Sequence, residues 1–272
     1  MLIAQVTDPH VKAAGRLAYK KVDTAVNLDR CLQHLIHLDT PPDVVLMTGD
    51  LTDFGRVEEY ELLRQLMAPL DMPVYVIPGN HDERDNFREA FEDHQYLPRT
   101  GDLRYAVEDY PLRMIGLDTT IPGEPGGDMC SNRLAWLDQQ LRNKPDSPTL
   151  IFMHHPPILT GIQHMDAQNC KNGEALGRLL EKHPQVIQVL CGHVHRPIHM
   201  QWYGVTVSIA PSASHYVALD LREHSSADFY LEPPTVQLYE WCDDSHLVAH
   251  LSFVGDFEGP YPFYDKHGKL ID

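Results

Sequence analysis

Short apolar runs that each stop at a polar cluster dominate the first two-thirds of the chain, and they leave few folds open. Leu2–Val6 ends at Thr7-Asp8-Pro9-His10, and residues 43–48 end at Gly49-Asp50-Leu51-Thr52-Asp53. Residues 73–77 lead into Gly79-Asn80-His81-Asp82. Thr149–Met153 closes on His154-His155-Pro156-Pro157, and Val186–Cys191 on Gly192-His193-Val194-His195. Continuous apolar runs of this length read as strands buried on both faces. Between them lie stretches of helical period. In residues 22–38, Val22, Ala25, Val26, Leu28, Leu32, Leu35 and Ile36 fall on one stripe, and helices are also predicted over 58–66, 83–91, 132–142 and 173–181. With a further strand at Arg113–Leu117, the alternation predicts an α/β architecture.

After His195 the pattern changes. Residues 199–203, Val205–Ile209, 216–221, 235–240 and 247–253 are short strand-like runs joined by turns, and helix signals stop. The tail from Gly255, rich in glycine, proline and aromatics, is expected to be irregular and to pack against something. No repeat or low-complexity linker divides the chain. We expect a catalytic domain over 1–225, with 226–272 as C-terminal strands and a tail that caps the site or joins subunits into a homo-oligomer.

Composition narrows the function. A formal charge of −17 disfavours nucleic-acid polymers and anionic membranes as broad-surface partners, although bound cations can reverse the sign locally. The five cysteines are scattered without a CxxC pair, so neither a thiolate metal site nor a disulfide framework is indicated. The apolar N-terminal run is too short for a signal peptide, and no stretch approaches a membrane span, which predicts a cytoplasmic protein. The 17 histidines matter more, because imidazole is the commonest metal ligand and several sit beside glycine, proline or aspartate.

The five clusters would converge outside the carboxyl ends of their strands, where α/β folds bind ligands. Asp, His and Asn offer oxygen and nitrogen donors that suit Mn, Fe, Zn or Co. Any one cluster alone reads more readily as a turn or a helix cap. Five in order, each at a strand end, read as a site.

The ordered set D-x-H, GD-x-x-D, GNH-D, HH-P and GH-x-H resembles the calcineurin-like metallophosphoesterase superfamily, over residues 1 to about 220. Gln5-Val-Thr-Asp8-Pro-His10, Thr48-Gly-Asp50-Leu-Thr-Asp53, Pro78-Gly-Asn80-His81-Asp82, Met153-His154-His155-Pro-Pro and Cys191-Gly-His193-Val-His195 are similar to the class III cyclic-nucleotide phosphodiesterases and their glycerophosphodiesterase relatives. The resemblance implies a four-layer αββα sandwich of two mixed β-sheets flanked by helices, with the metal site at one sheet edge. It implies two divalent transition metal ions. Asp8, His10, Asp50 and His195 would hold the first, and Asp50, Asn80, His154 and His193 the second, so that Asp50 bridges. A hydroxide between the ions would attack phosphorus.

By the same resemblance Asn80 and His81 would face the substrate, and His81 would stabilise the transition state or protonate the leaving oxygen. Asp53 would orient His81, its alternative being a cap for the helix that follows. His155 is expected to be a buried supporting residue. The implied substrates are 3′,5′-cyclic nucleotides, with glycerophosphodiesters or a broader set of diesters as the alternative. Selectivity would come from loops 15–21, 121–129 and 160–171 and the tail, where His164, Asn169 and His215 are candidate contacts. A non-catalytic scaffold on this fold is the remote alternative, and the filled ligand positions speak against it.

Overall fold

A computed structural model describes residues 1–242 and 245–271. In chain order its elements are β1 (Leu2–Val6), α1 (Thr24–Ile36), β2 (Val44–Thr48), α2 (Val57–Met67), β3 (Val74–Ile77), α3 (Arg84–Ala90), β4 (Tyr105–Val107) and β5 (Arg113–Leu117). There follow β6 (Gly127–Asp128), α4 (Ser131–Asn143), β7 (Thr149–Met153), α5 (Gln163–Asp166), β8 (Cys170–Lys171), α6 (Gly173–Leu180) and β9 (Val186–Cys191). The remainder is β10 (Ile198–Trp202), β11 (Val205–Ile209), β12 (Tyr216–Val217), β13 (Phe229–Tyr230), β14 (Thr235–Cys242) and β15 (His246–Phe253).

The strands form two mixed sheets, ordered β15-β14-β1-β2-β3 and β10-β11-β9-β7-β5-β4, beside two small two-stranded pairs. β1, β2 and β3 run parallel, as do β5, β7, β9 and β11, while β14, β15, β10 and β4 pair antiparallel at the flanks. Alternation along the second sheet sorts its side chains between two cores. Met114, Leu150, Phe152 and Leu190 join the core of the first sheet, whereas Ile115, Leu117, Ile151, Met153 and Val189 pack with Leu137 and Leu141 of α4 and Leu176 and Leu180 of α6. Leu28, Leu32 and Leu35 of α1, Leu63 of α2 and Phe87 of α3 lie in the first core. The layers are therefore helix, sheet, sheet, helix, as the resemblance implied.

The predicted run 216–221 shortens to β12, because Leu219 and Leu221 are exposed and Asp220 turns to pair with Arg222. Thr235–Cys242 and His246–Phe253 supply two strands to the first sheet, with β14 beside β1. The tail from Gly255 to Ile271 lies on the surface instead of packing into a core, and Phe257, Tyr261, Phe263 and Tyr264 are all exposed. Among the described residues no helix is long and apolar enough to cross a membrane.

Candidate metal centre

All five polar clusters meet between the two sheets, since β1, β2, β3, β7 and β9 share a carboxyl-terminal edge. Asp8, Asp50 and Asn80 come from the first sheet; His154, His193 and His195 come from the second. The turns that carry them are strained. Asp8, His10, Asp50, His193 and His195 all have positive φ, between 47° and 70°, and make up five of the ten non-glycine residues in that region among those described. Such backbone is costly for L-residues and persists where surrounding structure over-determines it, most often at functional sites.

Two glycines let the loops close. Gly49, at φ 95°, lies where a side chain would run into the His154 imidazole. A side chain at Gly79 would collide with the Asp50 carboxylate.

The carboxylates sit among histidines. Asp50 Oδ2 is 3.3 Å from His154 Nε2 and 3.6 Å from His10 Nε2, and Asp50 Oδ1 accepts the His81 backbone N–H at 2.8 Å. Asp8 Oδ1 is 3.3 Å from His195 Nε2. The Asp8 carboxylate also accepts the His193 N–H and the Thr7 hydroxyl, while Ser212 Oγ donates to the Asp8 main-chain carbonyl. Burial works to raise both acids, and the surrounding imidazoles outweigh it, holding Asp8 at about 2 and Asp50 well below the usual carboxylate range.

Second contacts fix which nitrogen of each ring faces inward. His154 Nδ1 is 2.8 Å from the Thr48 carbonyl and His195 Nδ1 3.0 Å from the His215 carbonyl, so each Nε2 is turned to the cluster. Burial opposes a charge on His154, but Asp50 dominates and lifts it to about 9. His193 falls to about 3 through burial and the neighbouring His154.

Asn80 Oδ1 and His193 Nε2 are buried without a hydrogen-bond partner. Buried acceptors are rarely left orphaned, so these two atoms need a donor or a cation. Asp8, His10 and His195 can bring ligand atoms within 4.8 Å of one another, and so can Asp8, Asp50 and His154. The donors are nitrogen and oxygen only, which fits hard-to-borderline divalent ions.

His155 also lies beside His154 and His193, yet both of its ring nitrogens are engaged. Nδ1 is 2.8 Å from Thr119 Oγ1, and Nε2 is 3.2 Å from the Pro125 carbonyl. It is buried and buttresses the His193 ring at 4.7 Å.

Asp53 departs from the arrangement that the resemblance implied. Its carboxylate reaches Lys12 Nζ at 2.7 Å and His10 Nδ1 at 3.4 Å, and stands 3.9 Å from His81 Nδ1. The Asp53 backbone carbonyl accepts from His81 instead, at 2.8 Å. Nor is Asp53 a helix cap. The Glu59 side chain takes the free N–H groups of Phe54 and Arg56 at the start of α2.

Asp82, the last residue of the GNH-D cluster, received no role from sequence. Its half-buried carboxylate accepts from the N–H groups of Leu51, Thr52 and Gly79 and from the Tyr60 hydroxyl, tying the β2 and β3 loops together. Its position three residues after Gly79 is the signal that could have marked it as a turn-closing acid. Lys12 and Tyr19 also escaped notice. Of the loop candidates, His215 lies at the cluster, its ring 4.6 Å from His195 and 5.2 Å from Tyr19. His164 sits on α5, and Asn169 donates to the Ile158 carbonyl.

Residues 1–197 match the calcineurin-like phosphoesterase family. The chain is 47% identical, over the full length of both, to a probable glycerophosphodiester phosphodiesterase GpdQ of Arcobacter nitrofigilis. It is 29% identical to the 3′,5′-cyclic adenosine monophosphate phosphodiesterase CpdA of Pseudomonas aeruginosa, over 96% of this chain and 93% of that one. The crystal structure of a dimetal phosphatase from Danio rerio superposes with a TM-score of 0.59 at 15% identity, covering 93% of this chain and 99% of that chain, and so shares the fold. The chain belongs to the calcineurin-like phosphoesterases, enzymes that use divalent metal ions.

Proposed function

We propose that the chain is a two-metal phosphodiesterase in which Asp8, His10, Asp50 and His195 hold one divalent cation and Asp50, Asn80, His154 and His193 hold the other. The observation that carries this reading is the position of Asp50. One of its carboxylate oxygens lies between His10 Nε2 and His154 Nε2, as a shared ligand requires. Mn, Fe, Zn and Co all suit the donor set. When bound, such a pair of ions lowers the pKa of water and neutralises charge on the phosphoryl oxygens.

The protein's own side chains do the rest. His81 is 34% exposed, the most open of the histidines against the carboxylates, and its ring stands edge-on to His10 at 4.6 Å. Burial works to lower its pKa, but the Asp50 carboxylate and the Asp53 carbonyl outweigh that and raise it above the ordinary imidazole value. A histidine whose pKa is raised holds its proton more firmly and can donate it to a departing alkoxide. Asn80 and His81, adjacent on one turn, would contact the substrate together.

Two substrate classes each have an observation in their favour. Similarity to the Arcobacter GpdQ over the full length supports open-chain glycerophosphodiesters. Similarity to the Pseudomonas CpdA supports 3′,5′-cyclic nucleotides, and so does the wall formed by Tyr19, His215 and Phe229, whose ring centroids lie 5.1–5.3 Å apart and offer a stacking surface beside the cluster. Comparing kcat/KM for cAMP, cGMP, 2′,3′-cyclic nucleotides and glycerophosphodiesters under defined metals separates them. Turnover of at least one class is expected. No turnover of these or of aryl diesters in the metal-loaded protein would leave the scaffold reading.

We also propose a homo-oligomer in which the exposed aromatic tail meets a second chain, working in the cytoplasm. A monomer at micromolar concentration in sedimentation analysis would contradict the assembly.

A further inference from the structure

Asp53 stands between two imidazoles, those of His10 and His81. Oδ1 lies 3.4 Å from His10 Nδ1, a buried nitrogen with no hydrogen-bond partner of its own, and 3.9 Å from His81 Nδ1. On its other side Lys12 Nζ donates to Oδ2 at 2.7 Å. Lys12 is itself held. Its ammonium lies 3.7 Å above the Phe54 ring, its backbone N–H donates to Thr24 Oγ1, and its side chain is 13% exposed. The chain around it is pinned as well, since the Asp53 N–H donates to the Val11 carbonyl at 3.1 Å. The ammonium, the carboxylate and the His10 ring therefore form one line that leads from the surface into the candidate metal centre.

We propose that Lys12 is a positioning residue for the first metal. It fixes the Asp53 carboxylate on His10 and leaves His81 to the Asp53 main-chain carbonyl. One residue then orients both histidines through two separate acceptors, and Lys12 decides which acceptor each receives. Carboxylates that hold the outer nitrogen of a metal-ligating histidine contribute roughly 10–100-fold in metal affinity. Without Lys12 the carboxylate is free to turn to His81, and His10 loses its anchor. This inference rests on the assignment of His10 as a metal ligand.

The test is a competitive-chelator titration of Mn²⁺ into metal-free wild type, Lys12→Met, Lys12→Arg, Asp53→Asn and the Lys12→Met/Asp53→Asn double variant. Methionine keeps an apolar stem against Phe54 and removes the charge; arginine keeps the charge. Wild type should take up two ions. Lys12→Met and Asp53→Asn should each weaken one site by about 10–100-fold and spare the other. Lys12→Arg should stay within a few-fold of wild type. The double variant should be no weaker than Asp53→Asn, because Lys12 acts through Asp53.

Wild-type affinity in Lys12→Met, or additive losses in the double variant, would overturn the proposal. Failure of the wild type itself to bind two ions would instead overturn the metal assignment. If Lys12→Met does not fold, the comparison of Lys12→Arg with Asp53→Asn decides: an arginine variant as weak as Asp53→Asn contradicts the role.

Discussion

His10 Nε2 and His195 Nε2 face each other across 3.1 Å inside the protein, both rings nearly excluded from solvent. His195 has already committed Nδ1 to the His215 carbonyl, so Nε2 is the nitrogen it turns to His10. Two imidazole nitrogens at that distance match neighbouring ligands of one ion, since metal–nitrogen bonds of about 2.1 Å at roughly 95–110° set donors about 3.1–3.4 Å apart. A pair of neutral rings alone gains one hydrogen bond, a small return for burying both.

The shared position of Asp50 makes a ranking of variants. Asp50→Ala should abolish binding of both ions, because its carboxylate faces both histidine sets. Asn80→Ala should weaken mainly one ion, since a neutral amide is a poorer donor and a single buried oxygen is lost. Metal analysis after equilibrium dialysis reads the difference. Equal loss of both ions in the two variants would contradict the bridging role.

The metal-free protein should be sensitive to alkali. His154 holds its proton up to about 9, against an ordinary 6.5. A base protonated more tightly in the folded state adds stability below 6.5 and loses it as pH climbs through about 9. The Tm of chelated protein should therefore fall across that window. Metal loading at pH 7.5 should release protons, because the ion replaces the one on His154. A flat or rising Tm from pH 6.5 to 9 in the chelated form would count against the His154–Asp50 pair.

If His81 protonates the leaving alkoxide, His81→Ala should lower kcat by about 10²–10⁴-fold on alkyl diesters and leave metal content intact. The loss should shrink for nitrophenyl diesters, whose leaving group departs without a proton. Equal losses on both substrates would assign His81 to electrostatic stabilisation of the phosphoryl oxygens. Loss of an ion would make it a ligand. Asp53→Asn should disturb His10 more than His81, since only the Asp53 carbonyl, which the substitution keeps, accepts from His81.

Much of the scaffold was legible because buried strands advertise themselves. β1, β5, β7, β9 and β11 fall at the residues their apolar runs mark, and the helices end within about two residues of their periodic stripes. β4, β6, β8, β13 and α5 went unseen, as two to four residues display no period. The pairing of β14 with β1 was equally hidden, because it joins residues over 230 positions apart and nothing local encodes it. The same limit applies at the site. The motif spacing marked side chains that the fold gathers at one edge, but it could not say that Asp53 offers His81 its carbonyl while Lys12 holds its carboxylate. That choice depends on three groups crowding one acid in space.

The most direct test of the central claim is the number of ions bound. Metal-free protein titrated with Mn²⁺, with free ion followed by electron paramagnetic resonance, should take up two ions per chain. Phosphodiesterase activity should appear as the second site fills. Full activity with one ion per chain at saturation would contradict the two-metal assignment and remove Asp50 from its bridging place.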